Sequence, residues 1–383
     1  MTPKERIFAA IVHRECDKPP TDIWAVPEIW RDLYRYFNIV STPAKESDSA
    51  IDAFVKSYAP QAEVYEKLRI DGIPGIYPIY KGDRRESENG VAFNEWGLGY
   101  KTITTETCEY QEQVIVPWME ATTPEDIESY TVPNADDYDY STLPAMADFW
   151  ESQGRAYQCG YAAPFYFHNL LRGLEESLVD PILNPDLTET VIRRIEKFFL
   201  EFHRNCFEAL RGRKYVTQVT DDFGSQHGLI IGIDSFRKLY APSIRKSVDL
   251  AKEYGLAVFH HDDGDCRPLL NDLVEIGIDI LNPIQWNCGG WDLEWLKRNY
   301  GSDICFHSAV DNQETLPLGS QNDVKAEVHR LLDVLFSDRT GFIIGPCHNI
   351  QANTSVENIV ALYDAVAEHE GEPLPFNDGH GRN

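Results

Sequence analysis

This sequence is short of positive charge: 35 Lys and Arg stand against 62 Asp and Glu, a formal net charge of -27. A chain so acidic repels a phosphate backbone or an anionic bilayer, which argues against nucleic acid and membrane surfaces as partners. It also weighs against a polyanionic substrate unless the site is locally basic. No apolar run approaches the length needed to span a bilayer. The opening MTPKERIFAAIVHRE lacks the charged, then apolar, then small-residue succession of a secretory signal, and the expectation is a cytoplasmic protein. It reads instead as a helix start, with Thr2 as N-cap, Pro3 at the first helical position and Glu5 closing a capping box. Paired cysteines are missing too. The eight cysteines (Cys16, Cys108, Cys159, Cys206, Cys266, Cys288, Cys305, Cys347) are scattered without a framework, so they are expected as thiols, a few of them ligands or nucleophiles. There is no internal repeat and no low-complexity tract.

What the chain does have is length and apolar content: 383 residues, 43% hydrophobic, enough for one large α/β barrel or two ordinary domains. Short apolar runs that end in polar residues recur at 21–26, 70–78, 156–162, 215–222, 256–263, 278–285, 304–311 and 341–349. Between the later runs lie helical patterns such as SFRKLYAPSIRKSVDLAKEYG and VKAEVHRLLDVLF, with apolar residues three and four apart. Gly255 and Gly277 suit helix C-caps. Eight strands alternating with helices predict an α/β fold of the (β/α)8 TIM-barrel type, whose active site lies at the C-terminal strand ends. The expected organisation is a single domain over 1–370 and a loose tail over 371–383. A hairpin-rich insertion at 79–150, after the second strand, would form a wall or lid.

The polar strand ends are the candidate site. In VFHHDDGDC (258–266) the period of two separates His261 and Asp263, expected to face the barrel mouth, from His260 and Asp262 behind them. His261 and Asp263 suit zinc, with Cys347 of another strand end as a third ligand. Two plainer readings stand beside this: a general base oriented by a carboxylate, or a capped turn. Cys266 is a weaker fourth candidate, its thiol expected to face outward. Asp221 and Asp222, after YVTQVT, suit substrate binding and proton transfer, or capping of the next helix. In GPCHNIQ, His348 is an acid–base candidate and Asn349 and Gln351 offer amide contacts. His260, Asp222 and His348 are the candidate catalytic groups. Asn282, Gln285, His307, Asp311 and Gln313 add hydrogen-bonding groups, and Trp24, Tyr77, Tyr161, Phe165, Tyr166 and Trp286 are candidate walls.

Several stretches together resemble the uroporphyrinogen decarboxylase superfamily: MTPKERIFAAIVHRECDKPP, NEWGLGY, LRGLEESLVDPILNPDL, HHDDGDCRPLLNDLVEIGIDILNPIQW, FHSAVDNQETLPLGS and GPCHNIQANTSVENIVALYDA. The resemblance runs over nearly the whole chain and implies a single (β/α)8 barrel. It is not to the decarboxylase proper, which carries an arginine-rich propionate cradle announced by RQAGR; here the corresponding stretch is TDIWAVPEIWRDLY. The chain is similar instead to the corrinoid-dependent methyltransferase branch, which binds zinc through His-x-Cys-Gly and a later cysteine. His261, Gly264 and Cys347 match that pattern, and Asp263 stands where the first cysteine is expected. The resemblance implies transfer of a methyl group from a small methylated, methoxylated compound to a corrinoid protein, with zinc activating the ether oxygen. One thiolate fewer makes the metal a harder Lewis acid, better suited to oxygen than to sulfur. The alternatives are a metal-free carboxy-lyase using Asp222 and His261 on a smaller acid, and a non-catalytic tetrapyrrole-binding barrel.

Overall fold

Residues 1–83, 85–105 and 109–375 are described by a computed structural model. Cys108 and residues 376–383 of the expected tail lie outside the described residues. The chain divides into two compact units: Gly75–Pro144 with Gln158–Ile278, and Met1–Pro74 with Ala145–Tyr157 and Asp279–Asn383.

In the first unit, three parallel strands lie side by side: β1 (Gln158–Ala162), β2 (Val216–Val219) and β3 (Ala257–His261), with Ala162 opposite Val219 and Phe259 opposite Gln218. Every residue of β2 is buried, as expected of a strand covered on both faces. Gly75 adds a parallel bridge to Gln158. The helix Pro185–Ala209 covers this sheet because Leu187, Val191, Ile195, Phe198 and Phe202 repeat at three and four and bury one stripe. Gly277 ends the helix Leu270–Ile276 at φ 102°, a conformation costly for any residue with a Cβ.

Residues 79–144 of the expected insertion belong to this unit, and 145–150 to the other. The insertion's antiparallel strands Ala92–Phe93, Gly99–Thr104 and Glu109–Ile115 form the expected hairpin-rich sheet. Two devices hold it to the helices. Trp96 is buried with its ring 4.9 Å from that of Phe167 and 4.8 Å from that of Phe198. Arg172 is buried, pairs with the buried Asp180 at 2.7 Å, and donates to the carbonyls of Trp118 and Ala121.

In the second unit, β4 (Ile280–Asn282), β5 (Cys305–His307) and β6 (Phe342–Ile343) are parallel, with Leu281 opposite Phe306 and His307 opposite Ile343. Residues 21–26 lie beside the continuation of β6 through parallel bridges, Thr21 to Ile344 and Ala25 to Ile350, and the Gly72 N–H donates to the Thr21 carbonyl. All eight predicted strand positions therefore carry parallel pairing within their own unit. The first two are isolated bridges rather than ladders, and the reason is chemical: Pro19, Pro20, Pro27, Pro74 and Pro78 have no N–H to give. The predicted N-terminal capping box is present, Thr2 and Glu5 each accepting the other's backbone N–H. Leu374, at the start of the expected loose tail, is buried and its N–H donates to Asp364. Among the described residues, no helix is long and apolar enough to cross a membrane.

Removing Arg172 strands the Asp180 carboxylate in the interior. Arg172→Met is expected to cost about 3–5 kcal/mol in urea unfolding. A loss below about 1 kcal/mol would show that the pair does not hold the insertion.

Candidate functional site

In the first unit the site is built where β2 and β3 end. Thr220 ties the two strands together, its hydroxyl donating to the His261 carbonyl (2.8 Å) and accepting the His261 N–H (2.9 Å). Asp262 continues the tie: one carboxylate oxygen accepts the N–H groups of Phe223 (2.9 Å) and Gly224 (2.8 Å). Gly264 then turns the chain at φ 84°, and a Cβ there would meet Ser225 backbone atoms at about 2.5 Å, so glycine is required.

The alternation expected for HHDD is present. His260 and Asp262 are wholly buried, and the His260 Nδ1–H donates to the Val219 carbonyl at 2.8 Å. His261 and Asp263 turn the other way, with side chains 14% and 39% exposed. The His261 Nε2 lies 3.6 Å from Asp263 Oδ2 and 3.7 Å from Asp222 Oδ1. An imidazole is thus flanked by two carboxylates, and Asp222 is fixed there by accepting the Asp263 N–H at 3.2 Å. Burial pushes the Asp222 carboxyl up to about 6, with His261 acting in the opposite sense. Asp221 is buried, accepts the Tyr166 N–H at 2.8 Å, and is pushed well above the usual carboxylate range by burial. Tyr161 stands among Asp221, Asp222, Tyr166 and Tyr77; Tyr77 also receives a hydrogen bond from Gln158 at 3.4 Å. Phe165, expected as a wall, is instead fully buried and stacked on Phe223 at 4.7 Å. The outward thiol expected of Cys266 is not found: the side chain is fully buried inside the turn, and burial raises its pKa, which makes it a neutral thiol.

The second unit's strand ends carry a separate buried network. His307 Nε2 lies 3.0 Å from Asp22 Oδ2, and its Nδ1 lies 2.8 Å from the Asn282 amide nitrogen and 3.0 Å from the Ser308 hydroxyl. An amide N–H donating to Nδ1 assigns the proton to Nε2, which donates to Asp22. Both His307 and Asp22 are buried, so neither meets solvent directly. The Trp24 ring lies 6.1 Å from that of His307 and 6.4 Å from that of His348. Cys347 is buried with its sulfur 3.7 Å from the Ile284 carbonyl, His348 is half-buried, and the Asn349 carbonyl accepts the Gln351 amide at 3.0 Å. Gln285 is nearly buried, and the Trp286 indole donates to the Ala309 carbonyl at 2.9 Å. Asp311 caps the turn that follows, accepting the N–H groups of Gln313, Glu314 and Thr315.

The sequence reading missed Asp22 and Thr220. Asp22 carried one signal, an acid set inside the apolar run TDIWAV; Thr220 carried none.

In metal-free protein, carboxyl-carbon NMR should show Asp222 titrating near about 6. The folded state holds that proton more tightly than the unfolded chain, so its contribution favours folding at low pH and is lost as pH rises through about 6. Asp222→Asn should therefore gain stability relative to the parent between about pH 4.5 and about pH 7.5 in urea melts. An equal effect at both would contradict the assignment.

The family described as Uroporphyrinogen decarboxylase (URO-D) matches residues 107–369, about two thirds of the chain. No curated protein matches the sequence. Among solved structures, the chain is similar to a methyltransferase from Methanosarcina mazei, over 97% of this chain and 99% of that one, with TM-score 0.67 and 18% identity. A D-psicose 3-epimerase with D-tagatose from Clostridium cellulolyticum H10 is similar over 65% of this chain and 86% of that one, with TM-score 0.36 and 10% identity.

Proposed function

The chain belongs to the uroporphyrinogen decarboxylase (URO-D) family, whose fold is the (β/α)8 barrel, and from that premise we propose that it is a methyltransferase. It takes a methyl group from a small methoxylated compound and passes it to a corrinoid carried by a partner protein. One observation carries the reading. His261 and Asp263, which stand at the first two ligand positions of the resembled zinc motif, turn to the same side, 3.6 Å apart, and Asp222 flanks the imidazole there at 3.7 Å. The fold shared with the Methanosarcina mazei methyltransferase supports it.

The donor chemistry at the end of β3 fits zinc, with an imidazole nitrogen of His261 and a carboxylate oxygen of Asp263 3.6 Å apart, and the resembled motif assigns Cys347 as the thiolate. When bound, zinc would supply Lewis acidity at the ether oxygen, and a set with one thiolate keeps that acidity hard. The chain's own residues do the rest. Asp221 and the tyrosines around it hold the substrate at the ends of β1 and β2. The methyl carbon bonds to the partner's reduced corrinoid as its bond to oxygen breaks. The electron pair stays on that oxygen, which takes the proton of Asp222; His348 is the alternative donor. In the metal-free protein, burial raises the pKa of Asp222. A metal-free lyase is the second reading, favoured by the 3.7 Å approach of Asp222 to His261, an acid–base pair complete without a metal.

Mixing the protein with a reduced corrinoid protein and a series of methoxylated compounds should give the absorption of methylcobalamin, and protein purified without chelator should carry about one zinc per chain. His261→Ala and Cys347→Ala should each lose the metal and slow transfer by about a hundredfold or more. No methylcobalamin with any donor, alongside carbon dioxide release from an acid and a zinc content near zero that added zinc does not raise, would overturn the proposal in favour of the lyase.

A further inference from the structure

The helix Leu174–Leu183 of the first unit is turned inside out. Its buried residues are polar, Ser177 and Asp180. Its exposed residues include four large apolar ones: Leu174 at 57%, Val179 at 40%, Ile182 at 75% and Leu183 at 69% exposure. An amphipathic helix ordinarily does the reverse. Bonds on the polar side hold the inversion in place. Asp180 pairs with the buried Arg172 at 2.7 Å, and the Ser177 hydroxyl donates to the Asn169 side-chain oxygen at 2.6 Å. The apolar surface does not end with the helix. Arg172 also donates, at 3.3 Å, to the carbonyl of Met119, a residue 54% exposed, so the 116–121 turn lies against the start of the helix. An apolar surface built this way marks a contact with another molecule.

Charge and place together say what covers it. The rim is acidic: Glu120, Glu175 and Glu176 are exposed, and neither 116–121 nor 174–184 contains a lysine or arginine. A second copy of this chain would set one acidic rim against another, and an anionic bilayer would be repelled. The partner that fits has an apolar centre and a rim of lysine and arginine. Residues 163–184 join the end of β1 to the helix that covers the sheet, which puts them on the face where the strands end. The Tyr166 N–H is bonded to Asp221 there, and Arg172 lies six residues on, about 9 Å along the helix axis. A protein seated on Leu174–Leu183 is therefore beside the candidate site. We infer that this face docks the protein that accepts the methyl group, with Ile182 and Leu183 at the centre of the contact. This rests on the proposed methyltransferase reading and gives its partner a docking surface.

The test uses the full chain, calorimetry with the corrinoid protein of the methylcobalamin assay, and methyl transfer to that protein and to free cob(I)alamin. Ile182→Glu should weaken binding of the corrinoid protein and raise its KM by at least about tenfold. Transfer to free cob(I)alamin should stay within about twofold, with thermal unfolding unchanged. Glu120→Lys combined with Glu175→Lys should weaken binding about fivefold at low ionic strength and flatten its dependence on salt. No binding by the parent, or equal binding by the parent and Ile182→Glu, overturns the inference. So does a parent that sediments as a dimer where Ile182→Glu sediments as a monomer, because the occupant is then a second copy. The two readings fail separately. Binding that Ile182→Glu abolishes, without methylcobalamin from the parent, removes the methyltransferase reading alone. Methylcobalamin formed with the same KM by parent and variant removes only the docking face.

Discussion

The arrangement at the end of β3 depends on one carboxylate that faces away from any substrate. Asp262 is fully buried, and its Oδ1 accepts two backbone N–H groups from the 223–224 loop. With Asp262 committed inward, the period of two turns His261 and Asp263 outward. The same tie carries the end of β2 alongside β3 and sets Asp222 beside the imidazole. Deleting that carboxylate would orphan two backbone donors, a cost far above that of a surface charge. The burial that makes Asp262 structural also shapes its neighbours: it withholds the proton of Asp222 from solvent into the range useful for acid–base chemistry.

The second unit uses the same device with different residues. Asp22 accepts from His307, whose other nitrogen accepts from Asn282, so a strand end is locked by a chain of hydrogen bonds that fixes the imidazole's tautomer. Trp24, two residues beyond Asp22, therefore sits on a rigid base and presents its ring near those of His307 and His348. In each unit a buried acid does the positioning, and the half-exposed residue next to it or two positions on is the candidate for chemistry.

How much of this was legible in the sequence follows from how local each feature is. The capping box of Thr2 and Glu5, the hairpins of the insertion and the inward and outward faces of HHDD depend on spacing over a few residues, and they were read correctly. The partnership of Asp22 with His307 joins residues 285 positions apart, and no local pattern announces it. Arg172 read as a helix residue; that it holds the insertion through the Trp118 and Ala121 carbonyls and Asp180 emerges only from packing. Cys266 misled for a related reason. Its place beside a turn suggested exposure, but the positive-φ glycine at 264 folds the chain so that the next turn is buried. The prolines of the first two strand positions were visible, and their lack of N–H groups explains why bridges replace ladders there.

The residue on which the functional account turns is Asp263, where the resembled zinc motif has a cysteine. If Asp263 is a ligand, the metal centre holds one sulfur and is suited to oxygen chemistry. X-ray absorption at the zinc edge, on protein purified without chelator, tests this most directly. The account predicts a single sulfur neighbour at about 2.3 Å with the remaining ligands nitrogen or oxygen at about 2.0–2.1 Å, and loss of an oxygen neighbour for a second sulfur in Asp263→Cys. Two sulfurs in the unaltered protein, or a zinc shell unchanged by Asp263→Cys, would contradict it.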